Sequence, residues 1–309
     1  MFQIKEITHL DKSNLRYFLV FNFAMVCIAS SGVFGSKLEM YPTIGIWSRS
    51  VVACLILGAY CKFKGFDFKL EKGRSTLIIF VSSIFMALHW VAYFFALLHS
   101  NVTIAMLAIF TYPIMTTLLE PLFFDVKIKL RTILISIVII LGVYFLLPSF
   151  DLSSGDTKGF LYGIASALFY SFRNLMMKKE IKAYNGSVLM WYQSTIAVFI
   201  LLPCFFFSQP SMDIIWHDLP FLIALGLITT SIGHTTFLNS FEHFKISTVS
   251  IMSGMQPIYG IILALIFLRE VPSLKSLLGG FIILVCVIVE SMASIKDEST
   301  LKSEELHEI

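Results

Sequence analysis

Ten stretches of about twenty mostly apolar residues follow one another along this chain, at 15–35, 42–61, 76–97, 102–124, 131–148, 159–177, 187–207, 219–240, 246–268 and 276–295. A helix needs about 20 apolar residues to cross the hydrocarbon of a bilayer. Lipid cannot satisfy a backbone N–H or C=O, so each run must close its hydrogen bonds within itself, as a helix does. A membrane barrel needs segments of alternating polarity, and these runs are continuously apolar. Charged residues make up only 14% of the chain, against about 25% in soluble domains. The expectation is an all-α integral membrane protein with ten transmembrane helices, not a soluble domain. The first run lacks a cleavage site after it and reads as a retained helix. The five cysteines (Cys27, Cys54, Cys61, Cys204 and Cys286) lie in apolar runs without a CxxC pair, as small core residues do. Residues 296–309 read as a charged, solvated cytoplasmic tail.

The connections are short, and their lysines and arginines are unequally divided. With the N-terminus inside, 17 of the 23 fall on the cytoplasmic side and 4 outside, while Arg49 and Arg173 lie within runs. Cytoplasmic loops carry such an excess, so both termini are expected in the cytoplasm, in the cell (inner) membrane.

Shifting the sequence by 144 residues lays Trp47 on Trp191, Ser50 on Ser194, His99 on His243, Pro113 on Pro257 and Arg131 on Lys275. Aliphatic matches are common in so apolar a chain. The coincidence of Trp, Pro and His at one offset is not. Each half, 15–148 and 159–295, then holds five spans. Five is odd, so the second copy enters the membrane from the opposite side. The loop charges agree: "KFKGFDFKLEKGR" after the second span is basic, whereas "FFSQPSMDIIWHD" after the seventh has no Lys or Arg. Inverted-topology repeats are typical of secondary transporters, with a site near the midplane between the halves.

The chain resembles the EamA family of the drug/metabolite transporter superfamily over residues 15–295, as two tandem copies of a five-helix unit. The resemblance rests on the arginine early in the second span, "WSRSVVACLIL", and on the two fourth-type spans. These read "NVTIAMLAIFTYPIMTTLLEPLFFDV" and "KISTVSIMSGMQPIYGIILALIFLREV", each with a small or polar lead-in, a proline and a terminal acid, Asp125 and Glu270. The first copy departs from the pattern in carrying Glu120 and Pro121 inside the span. The resemblance implies transport of amino acids, other metabolites or drugs.

Arg49 lies roughly seven residues, or about 10 Å, inside the external end of its span. It reads either as a snorkelling or bracing residue or as the counter-charge of a substrate carboxylate. Its echo in the second half is Gln193. Pro113 and Pro257 each remove a backbone donor and read as tolerated kinks or as a pair of hinges, with Tyr112 and Gln256 just before them. His89 and Tyr93, four apart, share a face. Trp90 has His234 as its repeat counterpart, and the histidines read as hydrogen-bonded core residues or as proton- or substrate-contacting groups. Arg173, Glu120 and Glu290 fit interface snorkelling, and an Arg173–Glu120 pair fits a cytoplasmic gate. Gly159, Gly163 and Ala167 have the four-residue spacing of close helix packing.

The sequence contains no metal-ligand spacing, no nucleotide-binding GxxxxGK[ST] motif and no nucleic-acid signature, so no cofactor is expected. The expected partners are a small-molecule substrate and the bilayer, for a monomer or homodimer. The leading expectation is a secondary transporter, an exporter or exchanger of a small metabolite such as an amino acid, working by alternating access. An intramembrane enzyme, or a membrane sensor or assembly partner, is the alternative.

Overall fold

The computed structural model describes residues 12–71, 73–146, 151–181, 183–240 and 252–307. Residues 1–11, which carry the expected cytoplasmic N-terminus, lie outside these, as do His243, Lys245 and the first part of the expected ninth span.

Among the described residues all regular structure is helical, and the described part of each expected run lies largely on helix. The first half holds α1 (Lys12–Gly35), α2 (Pro42–Phe63), α3 (Arg74–His99), α4 (Val102–Ile109, resumed as Tyr112–Leu119) and α5 (Leu130–Leu146). The second holds α6 (Gly155–Glu180), α7 (Gly186–Leu201), α8 (Met212–Asn239), α9 (Met255–Leu268) and α10 (Leu274–His307). Six of them are long and apolar enough to cross a membrane: α1, α2, α3, α4, α7 and α8. The other four expected spans meet a different physical situation. The apolar parts of α5 and α9 are shorter, α6 carries buried polar residues for the interior, and α10 runs on as helix to His307.

Local chemistry sets several helix ends. Pro42 stands in the first turn of α2, where its missing N–H is not needed. The Asn101 and Asn185 side chains accept from Ile104 N and Ser187 N at the starts of α4 and α7. Arg269 closes α9 in the left-handed conformation, φ 56°. That turn aims Glu270 across to the first half, where its carboxylate accepts from Val102 N (3.0 Å), Thr103 N (2.9 Å) and the Thr103 hydroxyl (2.6 Å). An acid from one half thus caps a helix of the other, at the end where the helix dipole favours negative charge. Glu270→Ala is expected to destabilise the protein by about 2 kcal/mol, read as a lower melting temperature of the detergent-solubilised protein, and Glu270→Gln by less. An unchanged melting temperature in both variants would rule out this cap as a tie between the halves.

The packing pairs the halves intimately. α3 packs on α6 and α1 on α8; α4 packs on α6 and α1 on α9; α3 packs on α7 and α2 on α8. The counterparts α2 and α7, α4 and α9, and α5 and α10 pack on one another. Exchanging the halves therefore maps this pattern of contacts onto itself, and the first helix of each half sits among helices of the other.

Small residues permit these approaches. A Cβ on Gly163 would lie 2.5 Å from Ala108 Cβ, one on Gly159 would meet Ser100, and Ala167 is fully buried. Cys27, Cys61 and Cys286 are buried and all five thiols are free. Large apolar side chains such as Leu134, Ile137 and Leu141 on α5 and Phe281, Val285 and Val289 on α10 face outward, the surface a bilayer covers.

Candidate functional site

A small cavity of about 30 Å³ lies between the halves. Its first-half wall includes Arg49 of α2; His89, Trp90 and Tyr93 of α3; and Ile109, Phe110 and Tyr112 at the break in α4. Its second-half wall includes Tyr170 of α6, His234 of α8, and Gln256 and Pro257 of α9. Seven polar or aromatic side chains singled out in the sequence (Arg49, His89, Trp90, Tyr93, Tyr112, His234 and Gln256) thus meet at one place. Pro113 is buried next to Tyr112 but does not line the cavity.

The prolines explain part of this geometry. Without an N–H, Pro113 cannot bond the Ile109 carbonyl. α4 stops at Ile109, turns through Phe110 and Thr111, and restarts at Tyr112. In the second half the helix is interrupted at Gly254, three residues before Pro257. Gly254 is 144 residues after Phe110, so the two breaks fall at equivalent places. Phe110 at the first break, and Gln256 and Pro257 just after the second, line the cavity.

Arg49 points inward and is 1% exposed. This excludes snorkelling to the interface in this structure. Its Nε donates to the Thr230 hydroxyl at 2.7 Å, and the guanidinium lies over the Trp90 ring, 4.7 Å from the centroid, with Phe94 at 5.9 Å. Arg49 Nη2 and Trp90 Nε1 are buried without a hydrogen-bond partner. Thr230 reaches Arg49 from a ten-residue π-helical stretch of α8, Leu225–His234. There the Thr230 and Ser231 hydroxyls donate to carbonyls five residues back, Leu225 and Gly226. The wide π turns are interposed between regular helix, as is common at functional sites. The equivalent α3 is regular helix.

His89 Nδ1 sits 3.1 Å from the Ser166 carbonyl and 2.9 Å from its hydroxyl. A carbonyl only accepts, so Nδ1 carries the hydrogen. The ring stacks on Tyr170 at 4.5 Å, and Tyr170 meets Tyr112 edge-on at 4.9 Å. Trp90 and His234, equivalent positions of the two halves, touch edge-to-face at 5.8 Å.

The expected Arg173–Glu120 pair is not formed. Glu120 accepts instead from Lys178 Nζ at 2.7 Å. Arg173 is 1% exposed, so it does not snorkel either. Its Nε and Nη2 donate to Gln193 Oε1 at 3.3 and 2.8 Å, and Nη1 donates to Asn174 Oδ1 at 2.9 Å. Glu290 likewise turns inward and accepts from Arg131 (3.0 Å) and from the Thr132 hydroxyl. The reason is common to both: a polar partner on a facing helix lies closer than the interface. Gln193 is the echo of Arg49, so the charge absent from that position in the second half is supplied by Arg173, leaning on the amide.

Sequence reasoning missed Tyr170, Ser166 and Thr230. Ser166 and Tyr170 are four apart in "GIASALFYSFR", with Arg173 three further on, which is a polar helical face. Thr230 had no such signal, because its direction depends on the π turns.

Comparison with known proteins places this geometry in context. An uncharacterized transporter of Archaeoglobus fulgidus is 23% identical over 71% of this chain and 78% of its own length. The pseudopaline exporter CntI of Pseudomonas aeruginosa is 22% identical over 80% of this chain and 84% of its own. A solved crystal structure superposes with a TM-score of 0.66 at 14% identity, over 92% of this chain and 99% of that one, a likeness of fold. The EamA-like transporter family matches twice, at residues 15–147 and 157–292. A buried polar cavity at the meeting of two such units, in a multi-pass membrane protein, is thus found in a chain that belongs to the EamA-like transporter family of the drug/metabolite transporter superfamily.

Proposed function

We propose that this protein is a secondary transporter that moves a small metabolite across the cytoplasmic membrane by alternating access, with the central cavity as its binding site. The observation that carries this reading is the cavity itself: its walls come from both halves, and equivalent residues, Trp90 and His234, meet there. Two five-helix units of opposite orientation, with both termini cytoplasmic, rock about it. Export is the favoured direction, by analogy with a relative named as an exporter.

The cavity volume of about 30 Å³ is far below the roughly 300–1,000 Å³ of sites that enclose a drug-sized ligand. A metabolite therefore needs the halves to move apart, and ties between them must break and re-form. The cap that Glu270, just after α9, places on the start of α4 is one such tie. Another is the buried Asp218, which accepts from the backbone N–H of Glu39 (3.1 Å) and Met40 (2.9 Å). Loop charge puts both on the external side. Lys178–Glu120 and Arg131–Glu290 join the halves on the cytoplasmic side.

The test is solute counterflow in proteoliposomes loaded with a mixture of amino acids and organic acids. Transient accumulation of a labelled member, above protein-free vesicles, is expected. Identical fluxes with and without protein would overturn the transporter reading. The hinge role of the prolines has its own consequence. Pro257→Ala restores a donor and straightens α9, so exchange should slow by about tenfold, a barrier increase of about 1.4 kcal/mol, with a smaller change in ligand affinity. Equal losses in rate and affinity would mean that Pro257 shapes the site and does not hinge it.

A further inference from the structure

The cavity has an imbalance of charge that the transporter reading alone does not explain. Arg49 lines it, is 1% exposed, and keeps Nη2 without a partner. Beside it Trp90 lines the cavity with its Nε1–H also unpaired. Among the described residues no Asp or Glu lines the cavity. Of the three buried carboxylates among the described residues, Asp218 and Glu290 are engaged elsewhere, on backbone N–H groups and on Arg131 with Thr132, and Glu180 lies outside the cavity lining. Behind the cavity wall a second guanidinium, Arg173, lies 5.8 Å from the Tyr170 ring and is held by the neutral side chains of Gln193 and Asn174. Two buried cations thus flank a low-dielectric space, and the unpartnered polar atoms of its lining residues are Arg49 Nη2, Trp90 Nε1, the Tyr93 hydroxyl and His234 Nδ1.

Burying a charge without a partner costs several kcal/mol even after relaxation. One hydrogen bond to Thr230 and one cation–π contact with the Trp90 face offset only part of this. An anion entering the cavity would complete the set. It would be favoured by the field of both guanidiniums and by a charge-assisted bond from Nη2. A cation would meet two like charges with no carboxylate to hold it. Beside the polar His89, His234 and Gln256, the wall includes Phe110, Tyr112 and Tyr170, an aromatic stretch that suits an apolar body.

We infer that the transported molecule is a small organic carboxylate with an apolar body, anchored through its carboxylate on Arg49 Nη2 and Trp90 Nε1. This rests on the reading of the cavity as the transport site, and it narrows the substrate class by charge.

The experiment uses purified full-length protein and two probe series, with isobutyl and benzyl bodies, each bearing a carboxylate, a carboxamide or an ammonium head. Binding is measured by thermal stabilisation, since a ligand of the folded state raises the melting temperature by mass action, and flux by counterflow of the same probes. The carboxylates are expected to bind at least tenfold more tightly than the amides, and the ammonium probes to give no stabilisation. Arg49→Gln should bring the carboxylate-to-amide ratio close to one. Arg49→Lys should keep part of the preference, and Trp90→Phe should reduce it while the charge stays in place. Should Arg49→Gln fail to fold, Arg49→Lys and Trp90→Phe still decide. A preference for amide or ammonium probes, no binding in either series, or a carboxylate preference untouched by these variants would overturn the inference. If amides or amines bind and are also carried, the substrate class fails and the transporter reading stands. If carboxylates bind with Arg49-dependent preference but show no flux above protein-free vesicles, the transporter reading fails and the anion site stands.

Discussion

Arg49→Leu is expected to lower the transport efficiency of a carboxylate substrate by roughly 30-fold to several thousand-fold while leaving the protein folded. The size follows from the cost of removing one partner of a buried, hydrogen-bonded charge pair, about 2–5 kcal/mol. The survival of the fold follows from what Arg49 touches. Its guanidinium has no carboxylate to strand, Thr230 retains its bond to the Leu225 carbonyl at 3.0 Å, and the neighbouring Trp90 and Phe94 faces accept a leucine. Replacing an uncompensated buried ion by an apolar side chain is often neutral or stabilising. The melting temperature should therefore hold or rise as transport falls, and this opposite movement separates a functional from a structural arginine. Wild-type counterflow at normal expression would show that the guanidinium lies off the substrate path. A collapse of both transport and melting temperature would show that it braces the helices.

Gly163→Val is expected to have the opposite signature, with loss of the folded protein first. A Cβ at 163 falls 2.5 Å from Ala108 Cβ, and both atoms are fixed to helical backbones, so α6 and α4 must separate. Overpacking commonly costs about 1–3 kcal/mol, and valine adds two further methyl groups to the clash. The displaced segment is the one just before the break that carries Ile109, Phe110 and Tyr112 into the cavity, so any surviving protein should also lose ligand binding. The contact itself can be tested by a cycle: Ala108→Gly should restore much of the stability lost by Gly163→Ala, because the two changes share one contact. Gly65→Ala is a fitting comparison. It has open space around its Cβ but φ +69°, so it should cost about 1 kcal/mol by backbone strain alone. Monodispersity in detergent and thermal melts report all four variants. A well-behaved Gly163→Val protein would mean that α4 and α6 can slide apart freely.

Membrane insertion, helicity and the two-part plan of the chain were determined by the sequence alone. They rest on properties that need no partner helix: the length and apolarity of each run, the unequal loop charges, and the recurrence of Trp, Pro and His at one offset. The breaks near Pro113 and Pro257 belong here too, since a missing N–H acts wherever the helix lies. Which side chains meet was decided only by the tertiary structure. In a water-soluble helix the polar face marks the outside, so a pattern tells inside from outside. Here both lipid and core are apolar, and an uncharged face such as Ser166–Tyr170 gives little warning that it is turned inward. Arg173 illustrates the limit. Its depth suggested a reach to the interface or to Glu120, but Gln193 on a facing helix is nearer, and in dry surroundings a close neutral acceptor outweighs a distant charge. Arg49 shows it again: its chief partner, Thr230, is aimed at it by π turns whose register no short pattern foretells. The second guanidinium missing at position 193 is present in space because the long Arg173 side chain of α6 reaches the Gln193 amide of α7, an approach that belongs to the packed bundle and that neither segment contains.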